Sequence, residues 1–265
     1  MIPALRNLLI VVPPVLLLLW AWHRTDRRTG RKRLSLRAFV AGIAGIPAAL
    51  LLGWGVLALL ELAGLIGASG PGSASDALWM LRSSQSADST AQLLRAFLVA
   101  GLVEEGVKLS AALLAARSPD RPLLRHGAAA GLGFALVEAV TQLTGSTGFA
   151  LLRLALVVPL HAALTGLLFL AVAALLRGRG GIPTEESEGA PAEDVPFRGS
   201  SDRSLGRWLV TVLLVLTAAA VHGAFNLVVN RVLIGGAMIT AALLIVAVIA
   251  NGVVVTEKGD SPPSR

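Results

Sequence analysis

The chain has 265 residues, 55% hydrophobic and 15% charged, with a mean hydropathy of +0.74. A soluble domain carries about 25% charged residues, so composition excludes an ordinary soluble fold. The net charge of +7 is not a nucleic-acid footprint, because most Arg and Lys residues gather in short loops beside apolar runs. With no cysteine, disulfides, thiolate catalysis and cysteine-ligated metals are excluded too.

Seven apolar runs follow in chain order, at roughly 5–22, 38–62, 92–116, 126–144, 149–176, 206–229 and 232–255. Each reaches or exceeds the ~18–20 residues that cross ~30 Å of hydrocarbon. The expected fold is all-α, a polytopic transmembrane helix bundle of about seven spans. The first run resembles a signal peptide but lacks a small-residue cleavage site. It is followed by "HRTDRRTGRKRLSLR" (23–37), with seven basic residues, and so reads as a retained anchor with the N-terminus outside. The second run continues to about Ile66, which suggests tilt or an interfacial turn.

Orientation follows from the basic residues. With the N-terminus outside, the loops 23–37, 117–125, 177–207 and 256–265 are cytoplasmic and hold seventeen of the 23. Five lie in outer segments or span ends (Arg6, Arg82, Arg95, Arg153 and Arg231), and Lys108 is within a span. The bias predicts a cytoplasmic C-terminus in a cell-membrane protein.

Two loops interrupt the spans. Residues 68–90 are rich in Ser, Gly and Asp on the outer side, and 178–205 form a Pro/Gly/Glu-rich cytoplasmic linker. The expected organisation is a two-span segment over 1–67 and a core over 92–255 interrupted by that linker.

A charge at the centre of a membrane helix costs about 2.5–3.5 kcal/mol on insertion scales, so ionisable residues within spans are functional candidates. They are Glu104, Glu105 and Lys108 in the third span, Glu138 in the fourth, His161 in the fifth, and His222 with Asn226 in the sixth. Lys108 is within helical reach of both Glu104 and Glu105. Glu104 lies twelve residues from Gln92, about 18 Å deep at ~1.5 Å per residue. Depths counted this way let the four helices converge their polar groups between mid-bilayer and the outer third.

Four motifs, "EEGVK" (104–108), "FALVE" (134–138), "HAALTG" (161–166) and "HGAFN" (222–226), together resemble the PrsW family of intramembrane proteases. That family is related to the CAAX-prenyl protease and bacteriocin-processing superfamily. The resemblance covers about 93–230, with motif order and span placement both matching. The family's second motif usually continues with Asn and an aromatic, where this chain reads "EAVTQL" (138–143), leaving Glu138 open between a catalytic and a structural role. The resemblance implies hydrolysis of membrane-anchored proteins, anti-sigma factors among them.

The residues suit that chemistry. Peptide hydrolysis needs a base for water, donors for the oxyanion and a proton for the leaving amine. Glu104 or Glu105 serves as base, Lys108 balances their charge, His161 or His222 orients water, and His222 with Asn226 donates to the oxyanion. A Glu/His set suits a metal-free carboxylate mechanism and zinc alike, so zinc stays open as a cofactor. The expected partners are a membrane-anchored protein substrate and the lipid bilayer.

Blander readings stand beside these. A membrane histidine or Asn often makes only an interhelical hydrogen bond, and a Glu–Lys pair can be structural. His23 and His126, at loop edges, read as solvated, and Thr165 as bonding its own helix backbone. A proton-coupled transporter or a non-catalytic scaffold uses the same residue types, although no internal repeat of the transporter kind is found.

Overall fold

The computed structural model describes residues 3–28, 34–66, 89–116, 124–141, 151, 153–177, 200–229 and 240. Apart from Thr240, the run 232–255 lies outside the described residues, as do 68–88 and 178–199 of the two loops. The described elements are all helices: α1 (Pro3–Arg28), α2 (Leu34–Leu62), α3 (Ser89–Leu94), α4 (Glu104–Ala116), α5 (Leu124–Thr141), α6 (Val158–Arg177) and α7 (Ser200–Val229). π-Helical stretches at Arg95–Val103 and Arg153–Val157 lead into α4 and α6.

Four helical runs, in α1, in α2, in α6 with its π-helical lead-in and in α7, are long and apolar enough to cross a membrane. α2 has 29 residues, about 43 Å at ~1.5 Å per residue, longer than the hydrocarbon is thick. The apolar run to Ile66 is not all helix. Leu65 N–H bonds the Leu60 carbonyl and Gly64 N–H the Glu61 carbonyl, with Gly64 at φ 70°. This is a Schellman cap, and its left-handed position is one that glycine adopts without strain.

The bundle is inverted relative to a soluble protein. Large apolar side chains face outward, among them Leu17, Leu51, Trp54 and Leu213, while Glu105 and Lys108 are fully buried. Lipid is as apolar as leucine, so close packing and internal hydrogen bonds must hold the helices together.

α5 supplies that packing at the centre. Gly131 is pressed against the His161 carbonyl of α6, and Gly133 against the Phe39 carbonyl of α2. Two residues turn a helix by about 200°, so α5 is clasped on opposite faces. A methyl group at either position would push a neighbouring backbone away.

The end of α1 is tied down by a buried carboxylate. Asp26 accepts from Ser35 N–H at 2.7 Å and from Arg125 Nε at 3.0 Å, joining α1 to the starts of α2 and α5. His126 Nε2 is 3.5 Å from the same carboxylate and the residue is buried, so the expectation of a solvated His126 is corrected.

Candidate active site

The backbone leading to the first motif is unusual. Arg95–Val103 is nine residues of π-helix running without a break into α4, and the Glu104 N–H reaches the carbonyls of Val99 and Gly101. π-Turns inside helices are frequent at functional sites, because the extra residue per turn re-aims the side chains that follow. Here they are followed by Glu104 and Glu105. The shorter π-helical stretch stands in the same relation to α6, three residues into which comes His161.

From α4, α5, α6 and α7 the structure brings Glu104, Glu105, Lys108, Glu138, His161 and His222 into one buried cluster. Lys108 Nζ is its hub. It donates to Glu105 Oε1 at 2.7 Å and to Glu104 Oε2 at 3.4 Å. It also approaches His161 Nδ1 at 2.6 Å and stands 4.5 Å above the centre of the Phe134 ring. An ammonium has three donors and no acceptor, so these contacts use all three and make His161 Nδ1 an acceptor.

The two glutamates differ in their surroundings. Glu105 Oε1 also meets His222 Nδ1 at 2.9 Å, and Glu105 Oε2 accepts from Thr165 Oγ1 at 3.4 Å. Thr165 thus bonds a site carboxylate, which corrects the expectation that it bonds its own helix. Glu104 has fewer partners: Lys108 at 3.4 Å, and His222 Nε2 at 4.0 Å. It also borders a small chamber of about 20 Å³ with Phe134, Ile46 and Val99.

The histidines face one another edge to face, with ring centres 4.9 Å apart. His161 Nε2 lies 2.9 Å from Glu138 Oε2, yet this buried nitrogen is off the line of a hydrogen bond. Glu138 thus joins the cluster through His161. Asn226, half-buried, stands one helical turn beyond His222 on α7. Glu104, His161 and His222 each offer a ligand atom, and these atoms all lie within 4.8 Å of one another.

Sequence reasoning missed the interhelical role of Thr165. The signal was available, since Thr165 is four residues from His161 and so on the same helix face. No curated protein and no solved structure matches the chain. A family model, the PrsW family intramembrane metalloprotease, matches residues 46–253, a stretch that includes all four motifs and every residue of the cluster. The chain therefore belongs to the PrsW family, as an intramembrane protease that acts on a membrane-embedded protein.

Proposed function

We propose that the chain hydrolyses a single-span, anti-sigma-factor-like membrane protein near its extracytoplasmic boundary, with Glu104 activating water. The observation that carries this is the convergence of Glu104, His161 and His222, from three separate helices, to within 4.8 Å of one another in a buried site.

The paired glutamates divide the work. Glu105 is saturated by Lys108, His222 and Thr165, which suits a fixed anion that holds its neighbours. Glu104 borders the small chamber, whose volume of about 20 Å³ admits roughly a single water. In the reaction Glu104 takes a proton from water as the oxygen attacks the scissile carbonyl. The C–N bond then breaks, and Glu104 returns the proton to the leaving amine. Asn226 donates to the oxyanion, His222 turns its Nε2 lone pair toward the water beside Glu104, and Lys108 keeps two buried carboxylates tolerable beside each other.

The family is described as one of metalloproteases, and the donor set fits a metal. Two imidazoles and a carboxylate are a zinc set. His222 has its Nδ1 held by the Glu105 carboxylate, the contact typical of a histidine that ligates through Nε2. With an ion present, Glu104, His161 and His222 would hold it, and the ion would replace Glu104 as the group that activates water, by lowering its pKa toward neutrality.

The topology belongs to the same proposal: a multi-pass cell-membrane protein with seven spans, N-terminus outside and C-terminus cytoplasmic. It comprises a two-span segment over 1–67 and a protease core over 92–255 that the linker 178–205 interrupts. Seventeen cytoplasmic basic residues support it. Reporter fusions in the linker and at the C-terminus should both label as cytoplasmic, and one at Ser84 as external. Opposite labels for linker and C-terminus would put an odd number of spans between them and end the seven-span reading.

The function is tested by reconstituting the protein with a single-span anti-sigma-factor-like protein and sequencing the products by mass spectrometry. Cuts at the extracytoplasmic boundary are expected. Cuts on the cytoplasmic side of the span would contradict either the orientation or the site.

A further inference from the structure

A membrane-embedded substrate has to reach Glu104 from the lipid. On one side, a groove of about 680 Å³ runs between α2 and α4. The helices are antiparallel there: Gly45 of α2 is against Val107 and Gly53 against Val99. The α2 wall extends from Ala41 to Leu52, about 16 Å at ~1.5 Å per residue, close to half the hydrocarbon thickness. Among the described lining residues Ser110 carries the one hydroxyl, and none is charged.

Three features distinguish this groove from ordinary lipid-facing surface. Its floor is backbone-close: Gly106 of α4 has nothing within 4 Å of where a Cβ would stand, and Ala44, Gly45 and Ala48 form the facing wall. Its rim is strongly exposed, with Leu52 at 56% and Leu114 at 74%. Its Leu52–Leu102 end adjoins the small chamber, which is bounded by the next residue of α2, Gly53, and by Glu104 itself. Among the described residues, the groove's Leu102–Val103 end thus meets the chamber that Glu104 borders.

We propose that the α2–α4 groove docks the cytoplasmic half of the substrate's membrane-spanning helix, bringing the chain beyond the docked segment to Glu104. This rests on the proteolytic reading above and extends it to the binding surface. Small residues allow a third helix to approach closely, which is how helices associate in lipid. A helix in the groove has its cytoplasmic part between Ala41 and Leu114 and leaves the groove where Glu104 begins α4. The substrate leaves the groove on its extracytoplasmic side, so the cut falls beyond the outer end of the docked segment. The run 232–255 is a less suitable occupant, because its described residue, Thr240, bonds the Leu156 carbonyl before α6, across α5 from α2.

The chain is free of cysteine, which makes the test direct. Gly106→Cys and Ser110→Cys are placed in the Glu104→Gln protein and reconstituted with the same single-span protein carrying one cysteine at successive span positions. A third variant, Leu216→Cys, reports the lipid-facing side of α7, where Leu216 is 49% exposed. Disulfide formation at 106 and 110, repeating every three to four substrate positions and lacking at 216, is expected. Uniform crosslinking at all three sites, or none, overturns the groove. Because crosslinking needs no turnover, a crosslinked but uncleaved substrate sinks the proteolytic reading and leaves docking standing. Cleavage by the wild type without crosslinks does the reverse. As a second readout, Gly106→Leu in the active protein projects a side chain into the groove from a position whose Cβ meets nothing within 4 Å. It should raise KM about tenfold with little change in kcat; an unchanged KM contradicts the proposal.

Discussion

Glu105 Oε1 stands 2.9 Å from His222 Nδ1, on a helix more than a hundred residues further along the chain. A carboxylate accepts, so the contact assigns the imidazole proton to Nδ1 and leaves the Nε2 lone pair on the side of Glu104, 4.0 Å away. The second glutamate of the pair thus sets the tautomer of a histidine that faces the first.

Glu105→Gln keeps the shape but weakens that hold, since an amide is neutral and can present either its oxygen or its nitrogen. Activity should fall about 10–100-fold, the usual cost of an outer-shell change, with little loss of membrane accumulation. A kcat equal to wild type would show that Glu105 does not orient His222.

Lys108→Ala strands a buried carboxylate pair. Removing one partner of a buried ion pair costs about 3–5 kcal/mol, so this variant should lose both activity and thermal stability in detergent. A melting temperature within a degree or two of wild type would mean that the pair is hydrated and not buried as the structure has it.

Gly131→Ala sets a methyl group against the His161 carbonyl, and overpacking of this kind costs about 1–3 kcal/mol. Displacement of α6 should lower kcat, because His161 moves with its own backbone. Gly55→Ala, whose Cβ meets nothing within 4 Å, is the matched control and should behave as wild type. Equal behaviour of the two variants would remove the clasp at α5 as the positioning element.

Metal removal gives a separate readout. With Glu104, His161 and His222 as ligands, the purified protein should retain about one zinc per chain, and His222→Ala should retain markedly less. Chelation should stop cleavage and added zinc restore it. Full activity in chelator, with no metal by elemental analysis, would favour the metal-free carboxylate route.

Much of this was legible in the sequence, for physical reasons. Lipid tolerates few ionisable groups, so Glu104, Glu105, Lys108, Glu138, His161 and His222 stood out against an apolar background, and the structure gathers all six. Helix ends were less legible. α1 continues to Arg28, beyond the apolar run, because Asp26 is paired with Ser35 and Arg125. That pairing joins residues nearly a hundred apart in sequence, which periodicity cannot reveal. The π-helical turns before α4 and α6 were equally hidden, since they shift register without changing composition. The different surroundings of Glu104 and Glu105 also needed coordinates, because neighbouring identical residues differ only in what the other helices bring to them.

The most direct test of the central claim is the cleavage rate of the purified, reconstituted protein set against that of Glu104→Gln, on the same single-span substrate and at matched membrane abundance. Loss of the base should lower the rate by about 10²–10⁴-fold while the variant still folds and inserts. Cleavage by Glu104→Gln at the wild-type rate would contradict the account, since no other described residue combines this position beside the chamber with a carboxylate able to take and return the proton.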